Sequence, residues 1–419
     1  MGSVNDLIPA ITGYADRFHR RAGVEHHVAS PLGAWLLLAL AGTAATGPDA
    51  AALADTLGMN CQAAADQATR LLSAPHPALS SAAAVWRADS VRTPELERWL
   101  GSLAAAVEVG PVPTQVAADA WADRVTAGLI PMFPVDLDGL TVLVLATVLA
   151  TRGSWNVPFQ LAPGADLGPV PSSWTPVAMV LRSAARVHDK AIVATADGDM
   201  AVHCADTTDG LAVVSVAAGP AVPAPAVLMQ AHRIASGLVA GPDPARRSLF
   251  DLPLGAGAAW TITEREEPAP MSDGRVEQFI ALLPAWQADT TLDLARAAGL
   301  GFDVAAHALS ALLPPDPRGY TVEAKQAAMA RYHRFGFEAA AVTAMALRAS
   351  AMAPGRKLAV VREATLRFAR PYAVVAVARD RTWSTDQQKW TAGPWHGVPA
   401  FSAWVDRIVD ADVPDGEGS

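Results

Sequence analysis

The sequence predicts an α+β fold. Helical patterns dominate the first third of the chain and strand patterns mixed with short helices follow. No internal repeat and no long Ser/Gly/Pro linker divides the 419 residues. Hydrophobic residues make up 51% of the chain and charged residues 17%. That composition is enough to bury a large core and excludes a disordered protein.

Ser30-Pro31 opens the first strong helix, with serine as N-cap and proline in the first turn. The run from Leu32 to Ala45 is apolar nearly all round, as expected of a buried helix. A more amphipathic helix fits Asp49 to Leu57 and stops at Gly58. Another fits Thr114 to Leu129, where Val116, Ala120, Trp121, Val125 and Leu129 recur at helical spacing until Pro131 and Pro134. Leu140 to Ala150 is a continuous Val/Leu run between Gly139 and Gly153 and predicts a buried central strand. Residues 190–216 read as short strands punctuated by Asp-Gly turns, and residues 219–225 as a Pro/Ala loop. Val276 to Leu283 reads as a strand. Thr290-Thr291 predicts the cap of a short helix through Ala298, closed by Gly299. Phe368 to Val377 is a further apolar strand pattern, and residues 410–419 form an acidic tail expected to be disordered.

The net charge of −9 argues against nucleic acid or an anionic membrane as the main partner. Cys61 and Cys204 match no metal spacing and no disulfide framework, so reduced thiols are expected. His26-His27 and His203-Cys204 lack companions at ligand spacing, and no metal is expected. The N-terminus has no basic region followed by an apolar one, which predicts a cytoplasmic protein, with an extracellular location as the alternative. The apolar runs are too short to span a bilayer. No Gly-x-Ser-x-Gly, Walker or dinucleotide motif occurs, so the chain does not read as an enzyme. Trp383 to Trp395 forms a Trp/Gln/Gly-rich insertion that reads as core or as a partner surface.

One stretch stands apart. Gly336-Phe337-Glu338-Ala339-Ala340-Ala341-Val342-Thr343-Ala344 is a run of mostly small residues without proline, placed after a Gly- and Pro-free segment ending at Arg334. Small residues let a loop slide between existing strands and become one. Alternate positions from Phe337 through Ala339, Ala341, Thr343, Met345, Leu347 and Ala349 carry no charge. Glu338 and Arg348 fall on the other face. This period-2 segregation is what an inserting strand requires.

Several segments in order resemble the serpin superfamily. They are residues 28–32 with the following helix to Met59, residues 121–131, residues 143–149 with the Trp turn at 152–159, residues 277–302, the hinge at 336–344 and residues 367–372. The resemblance implies a single domain over residues 1–409, with a central, mainly antiparallel sheet, additional sheets and about eight or nine helices. It also implies an exposed reactive-centre loop, a monomer, and no cofactor. The implied activity is inhibition of a serine protease: the loop is cut, an acyl-enzyme forms, and the loop inserts into the sheet before the protease can leave. The implied hinge and inserting segment is Gly336, Phe337, Glu338, Ala339, Ala340, Ala341, Val342 and Thr343. Ser30, Thr147 and Gln326 form the shutter, and Trp155 marks the breach. Family spacing puts the scissile bond at Ser350-Ala351, which suits an elastase-like or subtilisin-like partner.

Some residues depart from the family pattern. Phe337 stands where Thr or Ser is usual, Arg334 and Phe335 replace an acidic pair, and Thr147 and Gln326 occupy usual Asn and His positions while keeping the capacity to bond each other. A non-inhibitory serpin-fold protein, cleaved as a substrate or acting through a partner surface, is therefore the alternative.

Overall fold

A computed structural model describes residues 4–22, 25–184, 187–241, 245–269, 274–316, 320, 323–337, 357–384 and 388–412. The chain runs through α1 (Val4–Ala22), β1 (His27–Ala29), α2 (Pro31–Gly42), α3 (Gly47–Leu57), α4 (Cys61–Leu72), β2 (Leu79–Arg87), α5 (Pro94–Ser102), β3 (Val107–Pro111), α6 (Gln115–Val125) and β4 (Leu143–Thr151). It continues with β5 (Gly153–Ser154), β6 (Gln160–Pro163), β7 (Met179–Arg182), β8 (Asp189–Thr195), β9 (Gly198–Asp206), β10 (Leu211–Ala217), α7 (Ala224–Ala240), β11 (Gly255–Ala256), β12 (Trp260–Ala269), β13 (Arg275–Leu283) and β14 (Trp286–Asp293). Last come α8 (Phe302–Ser310), β15 (Lys325–Tyr332), β16 (Gly336–Phe337), β17 (Lys357–Arg367), β18 (Tyr372–Ala378), β19 (Arg381–Ser384), β20 (Lys389–Ala392) and β21 (Pro399–Val405).

Contacts group the chain into two compact units, one of residues 1–151, 288–329 and 376–402, the other of residues 152–287, 330–375 and 403–419. The chain passes from one to the other between β4 and β5 and inside β14, β15, β18 and β21.

In the first unit α2 is the hub. It has no polar face because α1, α3, α4, α8 and β4 all pack on it. Ser30 caps it by accepting from the Gly33 amide at 3.0 Å. Gly58 ends α3 in the left-handed region at φ 73°. A three-stranded sheet, in the order β3-β2-β4, joins β2 in parallel to β3 and antiparallel to β4. Helix α6 seals one face of it: Trp86 of β2 meets Trp121 of α6 edge-on at 5.1 Å, and Phe133 completes the cluster with Val144 and Val148. The β19–β20 hairpin pairs Trp383 with Trp390, both exposed, whereas Trp395 is fully buried and donates to the Ala74 carbonyl.

The second unit holds two larger sheets. One runs β11-β12-β17-β13-β7-β6, and the other has β10-β9-β8 in this unit and continues through β18 and β21, which the two units share. Strands β10 and β18 are buried at every residue, which explains their unbroken Val/Ala runs.

Three expectations need correction. The helix placed at Thr290–Ala298 is absent: Thr290 and Thr291 lie inside β14, and turns follow. β-Branched residues favour the strand, and Thr290 Oγ1 serves as acceptor for the Val28 amide and not as a cap. The run at residues 140–150 is not a central strand by its pairing, because β4 ends its sheet and is laddered only to β2 among the described residues. Residues 219–225 are not all loop: α7 starts at Ala224, with Pro225 in its first turn. The structure also shows α1, α4, α5, α7 and α8, which the sequence reading did not delimit.

Truncating Trp86 to Ala should cost roughly 3–5 kcal/mol in chemical denaturation, because it empties the α6–β2 contact. Val116→Ala, on the exposed side of the same helix, should stay within about 0.5 kcal/mol.

Candidate functional site

Two features, one in each unit, come together from the residues singled out by sequence. In the first unit, Ser30, Thr147 and Gln326 converge on the start of α2. The Gln326 side chain takes both backbone groups of Ser30: its Oε1 accepts from the Ser30 amide at 2.9 Å and its Nε2 donates to the Ser30 carbonyl at 2.8 Å. Ser30 Oγ donates to the Ala400 carbonyl at 2.8 Å. Thr147 Oγ1 donates to the Gly33 carbonyl at 2.8 Å. Thr147 and Gln326 therefore do not bond each other, as the sequence had suggested they were able to. Each fastens its own strand, β4 or β15, to the same helical turn.

Between those strands the sheet is open. No ladder joins β4 to β15 among the described residues. A cavity of about 50 Å³ lies there, lined by residues 145–149 on one side and 324–327 on the other, with Ile130 and Phe133 over it. A second cavity of about 120 Å³ shares Leu37, Leu145 and Ala324 with the first and extends to Leu143, Phe302 and Leu309. The lining of the first cavity mixes apolar side chains with Ser30, Thr147, Glu323, Lys325 and Gln326.

The second feature lies in the second unit, around Gly336 and Phe337, which the sequence marked as a hinge. After Tyr332 the chain turns, and the His333 amide donates to the Gly336 carbonyl at 3.1 Å. Strand β16 then pairs on both edges, Tyr332↔Phe337 with β15, and Gly336↔Ser154 and Phe337↔Gly153 with β5. The turn is held from the Trp155 loop. The Trp155 amide donates to Phe335 O, the Phe159 amide donates to Arg334 O, and Trp155 Nε1 donates to His333 O at 2.8 Å. Gly153 has to be glycine here, since a Cβ would sit 2.9 Å from Thr207 Cγ2.

Phe337 is 3% exposed and meets Trp286 edge-on at 6.3 Å. Trp286 stacks on Tyr332, which contacts Trp155 and Phe159. Beneath Phe159 lie two buried imidazoles: His188 Nδ1 and His203 Nε2 share a hydrogen bond at 3.1 Å, and His188 Nε2 bonds the Val157 carbonyl at 2.8 Å. Burial lowers the pKa of His188 and holds that of His203 well below the ordinary value. Lys190, which donates to the Ala184 carbonyl, is lowered by burial too, and Asp206 is the acidic group acting on His188.

No protein-family model matches the chain, and no curated protein matches it either. Solved structures do. Serpin48 from the insect Tenebrio molitor superposes with a TM-score of 0.60 at 14% identity, over 96% of this chain and 98% of that one. Human thyroxine-binding globulin complexed with thyroxine gives 0.63 at 13% identity, over 96% and 98%. The thermophilic serpin Tengpin in its native state gives 0.61 at 11% identity, over 95% and 93%. This chain has the serpin fold.

Within that serpin fold, Ser30, Thr147 and Gln326 are brought together, and Gly336, Phe337 and Trp155 are brought together. Gly336 and Phe337 are not exposed, contrary to the expectation for the loop; both are buried within a sheet. Glu338, Ala339, Ala340, Ala341, Val342 and Thr343, with Ser350 and Ala351, lie outside the described residues. Sequence reasoning quoted Phe159 within the Trp turn but missed Tyr332 and His188 beside it. Tyr332 carried a faint signal as an aromatic in the Gly- and Pro-free segment before the quoted run, whereas His188 carried none.

Because burial depresses both histidines, the unfolded chain binds more protons than the folded one below the free imidazole value near 6.5. The stability of the neutral pair is complete above about pH 6.5 and is lost as pH falls through it. Melting curves taken between about pH 7.5 and 5 should drop more steeply for the parent than for the His188→Phe/His203→Leu double variant. Parallel curves would show that the pair does not titrate on unfolding.

Proposed function

We propose that this chain inhibits serine proteases by surrendering its loop and inserting the cut end into the sheet. The observation that carries the reading is β16: the first two hinge residues are already paired on both edges, with Phe337 facing inward. If the cut segment were laid out as a strand, alternation from Phe337 would turn Ala339, Ala341, Thr343, Met345, Leu347 and Ala349 to the same side, and Glu338 and Arg348 to the other. Strand β15 continues from the hinge to Gln326, where it lines the open slot.

The chemistry belongs to the protease. Its serine oxygen bonds to the Ser350 carbonyl carbon, the bond to the Ala351 nitrogen breaks, and the protease's general acid protonates the leaving amine. The acylated end is then free to run along β15. Each residue laid down adds ladder hydrogen bonds at about 1 kcal/mol each and buries an apolar or small side chain. Small residues at the cut suit elastase-like or subtilisin-like partners. The second reading, a serpin-fold binding protein, is favoured by the likeness to a globulin complexed with thyroxine.

Incubation with an elastase-like or a subtilisin-like protease should give a covalent complex that survives denaturing electrophoresis. Thr343→Arg, which forces an unpaired charge into the slot, should remove the complex while leaving cleavage intact. Clean cleavage within residues 344–356 should raise the melting temperature by tens of degrees, each kcal/mol being worth roughly 2–4 °C or less in a chain this long. If every protease clips the loop and stays active, the protein is a substrate with a serpin fold and not an inhibitor.

A further inference from the structure

A second pair of imidazoles meets in the first unit, away from the hinge. His19 sits in the last turn of α1, and His27 opens β1. Both rings are buried, and so is Ser402 of β21, the strand beside β1 in its sheet. His19 Nε2 bonds Ser402 Oγ at 2.8 Å, His27 Nε2 bonds His19 Nδ1 at 3.4 Å, and His27 Nδ1 bonds the Glu25 carbonyl at 2.8 Å.

This row of bonds runs in one direction. A carbonyl oxygen only accepts, so His27 Nδ1 carries a proton. Neutral His27 then has a bare Nε2, which accepts from His19 Nδ1. Neutral His19 has a bare Nε2 in its turn, which accepts from the Ser402 hydroxyl. One added proton reverses the row: His27 Nε2 donates to His19 Nδ1, His19 Nε2 donates to Ser402 Oγ, and the Ser402 proton loses its acceptor. It also places a charge on a buried ring. A second proton sets two N–H groups against each other across the 3.4 Å contact and breaks it.

We propose that the row is an acid-released latch: with both imidazoles neutral it fastens the end of α1 to β1 and β21, and acid loosens the helix while the rest of the first unit stays folded. The other attachments of α1 involve no imidazole. Leu7, Ile11 and Phe18 are buried, Tyr14 donates to the Leu300 carbonyl at 3.3 Å, and Arg17 bonds Asp55 of α3 at 3.0 Å. Charged groups around the row are few among the described residues. On α1 they are Asp16 and Arg20, bonded to each other, and Arg21; beside β1 there is His26. Helix α2 and strand β21 carry no titratable side chain, and Asp289 and Asp293 of β14, which meets β1 through Thr290, are exposed. Burial lowers the pKa of His27; the Glu25 bond opposes that shift and His26 adds to it. The latch is therefore complete above about pH 6.5, the free imidazole value, and weakens progressively below it.

The test uses the full chain. With nitrogen-15-labelled histidine, His19 and His27 should both show the Nδ1–H tautomer at about pH 7.5, the opposite of the Nε2–H that the His188 bond to Val157 requires. Nε2–H on either ring would overturn the latch. Hydrogen exchange followed by mass spectrometry, corrected for the intrinsic pH dependence of exchange, compares about pH 7.5 with about pH 5. Peptides from residues 7–18 should lose roughly tenfold or more of their protection at the lower pH, while peptides from α2 and α4 keep theirs. Equal losses in all three helices mean global unfolding and sink the proposal, as does an α1 indifferent to pH. The His19→Leu/His27→Leu/Ser402→Ala variant replaces every side chain of the row by an apolar one, so its α1 should be equally protected at both pH values. If acid loosens α1 in that variant as in the parent, other groups are responsible and the latch is wrong. Should the variant fail to fold, the parent's tautomers and exchange decide alone.

Discussion

Strands β4 and β15 are fastened to one turn of one helix and not to each other. The Gln326 amide saturates the backbone of Ser30, and the Thr147 hydroxyl takes the carbonyl of Gly33. Two strands that would otherwise close into a ladder are instead held at a fixed separation by side-chain bonds to α2. Exposed strand edges are ordinarily blunted by charges, prolines or bulges. Here the β4 edge carries Leu, Ala, Thr and Val, the β15 side carries Lys325 and Gln326 beside Glu323, and Ile130 and Phe133 line the space between them.

The same strand β15 is treated differently at its other end. At Tyr332 it has a strand partner, and that partner is itself paired on its far edge. A large apolar anchor, Phe337, sits there among Trp286 and Tyr332 where the family pattern has a small residue. Burying a phenylalanine is worth about 1.5–3 kcal/mol against leaving it in water, so Phe337 holds β16 in its sheet. The buried His188–His203 pair packs against Phe159, which in turn meets Tyr332.

Upstream of residues 338–356 the chain is paired in β16, and downstream in β17, which lies between β12 and β13. The strands flanking β17 come from a stretch that the sequence reading barely used. Only β13 stood out there, through its apolar run. The β12 stretch, Thr-Glu-Arg-Glu-Glu, is charged because one edge and both faces of it meet water.

By itself the sequence determined the class and the local chemistry. It marked the Ser30-Pro31 cap, the all-apolar α2, the β4 and β13 runs and the uncharged register beyond Phe337, because capping, burial on all sides and strand alternation each leave a period or a residue type in the chain. It also carried enough ordered segments to resemble a serpin, and the fold agrees. It misread Thr290–Thr291, where β-branched residues beside a possible cap fit either state until a neighbouring strand decides. Tertiary structure alone decided that β4 faces an open slot, that Thr147 and Gln326 bond α2 and not each other, and that Phe337 is already buried. Each of these depends on which distant segment arrives beside the residue. Hydrogen bonds such as that from Gln326 to Ser30 span most of the chain's length, and no local pattern records them.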